Sequence, residues 1–281
     1  MRQTPAAVNI PVWEERLGKE TMRGLERGLS VLKALERTES LALRDLHRET
    51  KLPKPTLLRI LSTLEESGYA RRRLTDGTWR RAARKSETPQ SLLHDMLLDV
   101  GGEVLDDLCN RIAWPSDLAV YHRGMMHILE TTRKKTPYAV NMTGIGYRVP
   151  MLQTGLGRAW LAFCTDAERE RIIAELQRSN SPFDRTAREP ETVAAILQET
   201  RRLGYGTRVP GFTLRAEGED KTNGVAVPVM MRGHVIACVS LVWTISAINE
   251  QTVVKRYLAK VQAAASRIGY EIERRLPEAT A

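Results

Sequence analysis

The residues best suited to chemistry in this sequence are cations. Three consecutive arginines, Arg71 to Arg73, follow an amphipathic segment whose polar side carries Lys54 and Arg59. Ammonium and guanidinium groups bind phosphate oxygens, and an arginine can also pair with O6 and N7 of guanine. A basic run can instead be a solvated face with no partner. Recognition of DNA is the preferred interpretation, because the run adjoins the helical pattern described below.

The common signatures of enzyme active sites are missing from the sequence. It contains no GxSxG, no HExxH and no phosphate-binding loop. The histidines are scattered, at His47, His94, His122, His127 and His234. The cysteines, Cys109, Cys164 and Cys238, are far apart and form no CxxC pair, which argues against a zinc site or a disulfide framework. We therefore expect no catalytic residues, no metal and no cofactor, and three buried cysteines.

A glycine-rich stretch is the second place where chemistry is expected. The residues Gln153-Thr-Gly-Leu-Gly-Arg-Ala-Trp160 lead into an apolar helical run at Ala159 to Phe163. Their glycines do not follow the dinucleotide-binding fingerprint. Backbone N–H groups at the start of a helix attract an anion. Close packing of the helix on a sheet favours glycine just as well, so the sequence leaves both explanations open.

Three amphipathic segments must position the cations. Their apolar positions recur at helical spacing. These positions are Leu25, Leu29, Leu32 and Leu35, then Leu41, Leu43 and Leu46, then Leu57, Ile60, Leu61 and Leu64. The short break at Lys51 to Pro53 has the length of the turn in a helix-turn-helix unit, and Gly68 suits the end of the third helix.

A hairpin is expected after the third helix. Asp76-Gly77 is a strong signal for a tight turn, so the flanking residues become two strands that form a wing. In this winged helix-turn-helix we expect Thr56 and Arg59 to face the major groove, while Lys54 and Arg71 to Arg73 hold phosphates.

Charge is distributed unevenly along the chain. Residues 1–85 contain 19 lysines and arginines against 11 acidic residues, a net charge of +8, whereas the remainder carries only +1 of the total of +9. A localised positive charge is the electrostatic footprint of a phosphate-binding surface. Double-stranded DNA is therefore the expected partner of the first third of the chain.

The rest of the chain has an α+β pattern. Two predicted strand pairs, Asp117–Tyr121 with Met126–Thr131 and Gly224–Met230 with Val235–Trp243, enclose predicted helices at Asp166–Arg178 and from Pro190 to Leu203. This order predicts an antiparallel sheet covered by helices. No apolar run reaches the roughly 18 residues needed to cross a bilayer, and the first residues lack the apolar core of a signal peptide. We expect a cytoplasmic protein with no membrane partner.

The chain contains five characteristic stretches in a fixed order: RGLERGLSVLKAL, LPKPTLLRILSTLEESGY, VPMLQTGLGRAWLAF, LGYGTR and GVAVPVMMRGHVIACVSL. With these stretches it resembles the isocitrate lyase regulator (IclR) family of bacterial transcription factors. The resemblance covers about residues 23 to 275. Within the family, IAWPSD at 112–117, WLAFC at 160–164 and AREP at 187–190 look closest to the activators of hydroxyphenylpropionate catabolism.

The resemblance implies an overall organisation. We expect an arm at 1–20, a winged helix-turn-helix domain at 21–85, a linker helix at 86–111 and a GAF-like effector domain at 112–276. It also implies a dimer or tetramer, to which the linker helix would contribute apolar contact through Leu93, Leu97 and Val104.

The resemblance further implies an effector site. The family motif sets a carboxylate against the backbone of the TGLG turn, here Thr154, Gly155 and Leu156, followed by Arg158 where many members have lysine. Other pocket positions fall near Gly224 and Ser240 on the last two strands. Gly224 and Val242 depart from the polar residues of relatives and favour a larger or more apolar ligand.

These observations lead to one interpretation and one alternative. The interpretation is a sequence-specific transcriptional regulator that responds to a small organic acid, which by resemblance is aromatic. The alternative is a ligand-binding enzyme of aromatic metabolism with an accessory basic head. The sequence does not specify the effector, the operator or the sign of regulation.

Overall fold

The chain folds into two compact units. The computed structural model describes residues 22–38, 40–73, 76–82, 89–138, 145–212 and 222–276. Unit 1 runs to Arg71 and includes Trp79–Ala82, whereas unit 2 contains Arg72–Thr78 and the chain from Ala83 onward. Among the described helices, none is both long and apolar enough to span a bilayer.

Unit 1 contains the three predicted helices. They are α1 (Arg23–Glu36), α2 (Leu43–Thr50) and α3 (Lys54–Glu66). Helix α2 ends where Lys51 adopts a left-handed φ of +60°, and Gly68 follows α3 with a φ of +75°. The predicted break at Lys51 to Pro53 and the predicted left-handed Gly68 are both confirmed, because α2 ends before Lys51, α3 begins at Lys54 and Gly68 has a positive φ.

The core of unit 1 uses only part of the apolar side predicted for α1. Val31, Ala34 and Leu35 of α1 are buried, whereas Leu25 and Leu29 are 59% and 46% exposed. At about 100° per residue, Leu25 and Leu29 lie nearly opposite Val31 and Ala34. The prediction that these two leucines pack inside was therefore wrong, since α1 carries a second apolar stripe that faces outward.

The wing is present, but its turn differs from the prediction. Strands β1 (Ala70–Arg72) and β2 (Trp79–Arg81) form a two-stranded sheet. Gly77 has a φ of +69°, but Asp76 does not adopt a positive φ. Instead, the Asp76 carboxylate accepts the Thr78 N–H at 3.0 Å. The hairpin is therefore not the two-residue turn that Asp-Gly suggested, and its described part is braced by an aspartate side chain.

Unit 2 is built on a six-stranded antiparallel sheet. Its strands are β3 (Ser116–His122), β4 (Met125–Thr131), β5 (Arg148–Pro150), β6 (Gly206–Thr207), β7 (Thr222–Met231) and β8 (His234–Thr244). They lie in the order β5-β4-β3-β8-β7-β6. The two predicted strand pairs meet at the centre, where Asp117 of β3 lies opposite Ser240 of β8.

Two arginine–glycine turns connect the paired strands. Arg123 and Gly124 have φ values of +48° and +75°, and Arg232 and Gly233 have values of +48° and +79°. Two successive positive φ angles give the tight turn whose twist matches that of antiparallel strands. The two strand pairs predicted from the sequence are therefore each joined by a tight turn.

Helices cover both faces of the sheet. They are α4 (Pro89–Ile112), α5 (Gly155–Phe163), α6 (Asp166–Arg178), a 3₁₀ helix (Pro182–Arg188), α7 (Pro190–Leu203) and α8 (Glu250–Arg275). Helices α4 and α8 share one hydrophobic core with the sheet, while α5, α6 and α7 form another. Along β8, Val239 belongs to the first core and its neighbour Cys238 to the second. The α+β sandwich predicted from the strand and helix order is confirmed.

Helix α4 packs inward more than the sequence suggested. Leu97 and Val104 are 2% and 3% exposed and belong to the core shared with α8. Leu93 packs against the same core. The prediction that Leu97 and Val104 supply contacts between subunits was therefore wrong, because the protein's own fold already covers them.

Candidate functional site

A cavity opens on the face of the sheet that carries α5. It encloses about 470 Å³, part of which is open to solvent. All six residues predicted to bind an effector line it: Thr154, Gly155, Leu156, Gly224, Ser240 and Val242. The other lining residues are Asp117, Ile128, Arg133, Val149, Arg208, Asn223 and Val225. Residues from six elements, and from the two segments that follow β4 and β6, thus converge on one space.

The start of α5 forms one wall of the cavity. Thr154 caps the helix: its hydroxyl donates to the Pro150 carbonyl at 2.7 Å and accepts the Gly157 N–H at 3.3 Å. The unpaired positive end of the helix dipole therefore lies at Gly155 and Leu156, beside the cavity. This geometry suits an anion.

The glycines of this turn also serve packing. A Cβ at Gly155 would lie 2.7 Å from the Gly206 carbonyl oxygen, and a Cβ at Gly157 would lie 2.2 Å from that of Met151. Both contacts are too short for any other residue. The packing explanation therefore holds for both positions, and a valine at 155 would disturb the sheet as well as any bound anion. Arg158 is turned onto the Leu152 carbonyl at 2.7 Å, and burial lowers the pKa of its guanidinium.

A buried carboxylate organises the opposite wall. Asp117 is 1% exposed and accepts four hydrogen bonds. Arg133 donates to both of its oxygens, from Nε at 3.0 Å and from Nη2 at 2.7 Å. The Thr131 hydroxyl donates to Oδ1 at 2.6 Å and the Ser240 hydroxyl to Oδ2 at 3.3 Å. This two-point ion pair is rigid, because each member of the network fixes the others.

A second guanidinium reaches the cavity from the segment after β6. Arg208 donates from Nη1 to the carbonyl oxygen and to the hydroxyl of Thr222, each at 3.1 Å. Its guanidinium also lies 5.5 Å from the centre of the Phe212 ring. These contacts aim a planar group, well suited to a carboxylate, at the same space as the start of α5.

The floor between these polar walls is small and apolar. Gly224 pairs with Val242 across β7 and β8, and Ala226 pairs with Ser240. Ile128 and Val149 add aliphatic surface from β4 and β5. The cavity therefore combines hydrocarbon walls with a few fixed polar groups, as small-molecule sites do.

Three of the residues predicted to bind DNA lie together on α3. Lys54 and Arg59 are exposed and Thr56 is partly exposed. Thr56 and Arg59 line a groove shared with α1, to which Arg27 also contributes. Arg27 was not predicted; it belongs to the RGLERGL stretch but shows no pattern that separates it from an ordinary surface arginine.

The three arginines after α3 separate into two groups. Arg71 and Arg72 are exposed. Arg73 is 6% exposed; its Nε lies 3.1 Å from a carboxylate oxygen of Glu130, and its Nη2 donates to the Leu129 carbonyl at 3.3 Å. The prediction that Arg73 holds a phosphate was therefore wrong for this structure, since its charge is buried against a glutamate of unit 2.

Asp117, Arg133 and Arg208 are cavity residues that the sequence did not reveal. Asp117 and Arg133 are sixteen positions apart, and their pairing depends on the register of β3 with β4. The only local signal was a charged residue inside a strand that otherwise reads as apolar. Arg208 lies within the LGYGTR motif, which carries part of the family resemblance but has no pattern that indicates a contact with a ligand.

The remaining candidates for chemistry are the cysteines and the histidines. All three cysteines are buried and unbonded, as predicted. Burial raises the pKa of the Cys164 thiol to about 11 and that of Cys238 well above its usual value. The rings of His122 and His127 are 6.3 Å apart at the β3–β4 hairpin. Across the described ranges, no cluster of three or more His, Cys, Asp or Glu side chains is arranged to hold a metal ion.

Two family models match this chain. One, described as "Bacterial transcriptional regulator IclR C-terminal", matches residues 90–270. The other, described as "IclR helix-turn-helix domain", matches residues 24–74. Together they cover both units, including the cavity and α3.

Individual relatives are distant but cover most of the chain. The HTH-type transcriptional regulator XynR of Escherichia coli is 25% identical over 235 residues, which is 82% of this chain and 89% of the relative. The acetate operon repressor of Salmonella typhimurium is 26% identical over 206 residues, or 72% of each protein. The transcriptional repressor IclR of Escherichia coli is 26% identical over 189 residues, which is 66% of this chain and 68% of the relative.

Solved structures share the fold. Thermotoga maritima IclR aligns over 90% of this chain and 100% of its own, with a TM-score of 0.52 and 17% identity. An IclR homologue from Microbacterium hydrocarbonoxydans, solved in complex with 4-hydroxybenzoate, aligns over 89% and 99% with a TM-score of 0.51 and 24% identity.

Proposed function

Since this chain belongs to the IclR family of bacterial transcriptional regulators, we propose that its cavity binds a small organic acid and that binding changes the affinity of the helix-turn-helix domain for an operator. The family gives the chain an N-terminal DNA-binding domain and a C-terminal ligand-binding domain. The chemical class of the effector and the roles of individual residues are the proposal.

One observation carries the choice of an acid. The start of α5 and the guanidinium of Arg208 both border the same cavity. Backbone N–H groups at a helix start and an arginine fork each prefer a carboxylate, and in a partly buried site the helix end alone contributes up to about 2 kcal/mol. The aliphatic walls suit an apolar body. An aromatic acid, as the similarity to regulators of hydroxyphenylpropionate catabolism suggests, fits both features.

The DNA-binding roles follow from exposure and position. Arg59 and Thr56 lie on the outer side of α3, where the second helix of a helix-turn-helix enters the major groove. Lys54, at the start of α3, and the exposed Arg71 and Arg72 are assigned to phosphates. Arg73 is not included, because Glu130 already pairs with it.

The protein acts as a dimer or tetramer in the cytoplasm and catalyses no reaction on its effector. Paired heads match two half-sites separated by turns of the duplex, which a single head cannot do. The rival possibility, an enzyme with a basic head, predicts turnover. Incubating aromatic acids with the protein and analysing the products by mass spectrometry separates the two, since a regulator returns each acid unchanged.

Calorimetry with matched acids and amides tests the proposed effector class. The probes are benzoate, 3-phenylpropionate, pyruvate and 4-hydroxybenzoate, each beside its primary amide. At least one acid should bind, and its amide should bind at least tenfold more weakly. Replacing Arg208 by glutamine should remove most of this preference, while Arg208→Lys should retain part of it. Equal binding of acid and amide would exclude the carboxylate role.

A further inference from the structure

The Asp117 network determines more than the rigidity of the cavity wall. Each Asp117 oxygen accepts two hydrogen bonds, from Thr131 and Arg133 on Oδ1 and from Arg133 and Ser240 on Oδ2. A carboxylate offers about four acceptor positions. The carboxylate is thus saturated by groups of the protein itself. An effector that enters the cavity contacts the groups that donate to Asp117 and not the carboxylate.

The direction of the bond to Ser240 follows from chemistry. A carboxylate held at two points by a guanidinium is ionised and can only accept, so the Ser240 hydroxyl must donate to it. A serine hydroxyl has a single proton and two lone pairs. With its proton committed to Asp117 at 3.3 Å, the Ser240 oxygen can act only as an acceptor toward the cavity that it lines.

We infer that Asp117 is a positioning residue that presents Ser240 as a fixed hydrogen-bond acceptor, so that the cavity selects an organic acid bearing a hydroxyl group on its body. A buried acceptor in an apolar wall costs free energy when a ligand covers it without supplying a donor. A ligand hydroxyl supplies that donor. A protonated amine would do so too, but it would have to lose its hydration in a largely apolar cavity where the Asp117 carboxylate is already saturated. The inference rests on the proposed binding of an acid.

The test compares acids that differ only at the hydroxyl. Calorimetry uses benzoate and 3-phenylpropionate, each with its three monohydroxy and three monomethoxy ring isomers. One hydroxy isomer should bind about tenfold more tightly than its parent acid, the usual effect of one well-formed hydrogen bond. The methoxy isomer, which has no proton to donate, should show no gain over the parent acid.

Variants assign that preference to the network. Ser240→Ala removes the acceptor, so the parent acid should bind at least as tightly as it does to the wild type, whereas the hydroxy isomer should lose its tenfold advantage over the parent acid. Ser240→Thr should restore that advantage. Asp117→Asn should reduce the ratio of hydroxy-acid affinity to parent-acid affinity, because an amide no longer dictates the direction of the serine proton. Ser116→Ala removes a buried serine hydroxyl that does not line the cavity and serves as the matched control. Circular dichroism establishes that each variant is folded.

The outcomes separate this inference from the proposal beneath it. If acids bind but hydroxy and parent acids bind equally, or if the gain survives in Ser240→Ala, the inference is wrong and the acid site stands. If no acid binds, the proposed effector class fails and the inference fails with it. Should Asp117→Asn unfold, the comparison of Ser240→Ala with Ser240→Thr still decides the role of the hydroxyl.

Discussion

At the scale of single residues, the environment of each arginine decides its role. Arg59 and Arg72 are exposed, Arg133 is locked to a buried aspartate, and Arg73 is buried beside Glu130. All four look alike in the sequence. A guanidinium in water can reach a phosphate, whereas one sealed against a carboxylate has already been neutralised and serves the fold.

Arg73→Ala should therefore destabilise the folded protein. Removing one partner leaves Glu130 buried without its counter-charge, a loss of roughly 3–5 kcal/mol for a buried pair. Urea unfolding followed by circular dichroism measures the change. Arg72→Ala is the matched control and should unfold near the wild-type midpoint. Equal stability of the two variants would show that the Arg73–Glu130 pair contributes little.

The cysteines give a second prediction at this scale. Burial raises the pKa of Cys164 to about 11 and also raises that of Cys238, so almost no thiolate exists at neutral pH, and the thiols are covered. A colourless disulfide reagent that releases a chromophore should titrate three thiols in urea and react only slowly with the native protein. Rapid reaction of the native protein would mean that these sites open readily.

At the scale of elements, glycine sets how closely α5 approaches the sheet. Gly157 lies so near the Met151 backbone that no Cβ fits. Gly157→Ala should force α5 away from the Met151 backbone, lower the unfolding midpoint and abolish effector binding. Gly102→Ala, within α4 where nothing lies near the added Cβ, should instead stabilise the protein by about 0.5–1 kcal/mol. Thermal unfolding measures the stability of both variants, and calorimetry measures their effector binding. A Gly157→Ala variant with wild-type stability and binding would contradict the proposed role of this glycine.

Local patterns predicted the elements well but not the contacts between distant strands. The paired strands and the helix at Asp166–Arg178 follow from neighbours in sequence, and the six predicted effector positions, which line one cavity, follow from the family motifs. The apolar stripes of α1 were misassigned because both Leu25 and Val31 belong to helical repeats, and only packing shows which stripe faces the core. The Asp117–Arg133 pair could not be predicted, since a shift of one residue in the β3–β4 register would separate it.

At the scale of the whole molecule, function requires two binding events in one chain. An operator is first selected from a pool of random duplexes. Arg59→Ala should then reduce the difference in binding free energy between this operator and random DNA by roughly 1–3 kcal/mol, the effect of losing one base contact. Arg72→Ala should weaken both alike and lower the salt dependence by about one unit. A selective loss at Arg72 would reverse the two assignments.

Assembly is predicted at the same scale. Light scattering of the full chain should give the mass of a dimer or tetramer, and the operator should contain two related half-sites. Because Leu97 and Val104 are buried within the chain, replacing either should lower the stability of the protein more readily than it changes the mass of the assembly. A monomer that binds its operator tightly would contradict the assembly.

The central claim is that occupancy of the cavity changes the affinity for DNA. Fluorescence anisotropy of the selected operator, titrated with protein in the absence and presence of the saturating acid found by calorimetry, measures this directly. The wild type should change its operator affinity at least fivefold, the coupling typical of allosteric proteins. Val242→Phe, which fills the cavity floor, should bind the operator without acid as the wild type does and show no change with acid. An acid that binds the wild type without altering its operator affinity would contradict the account.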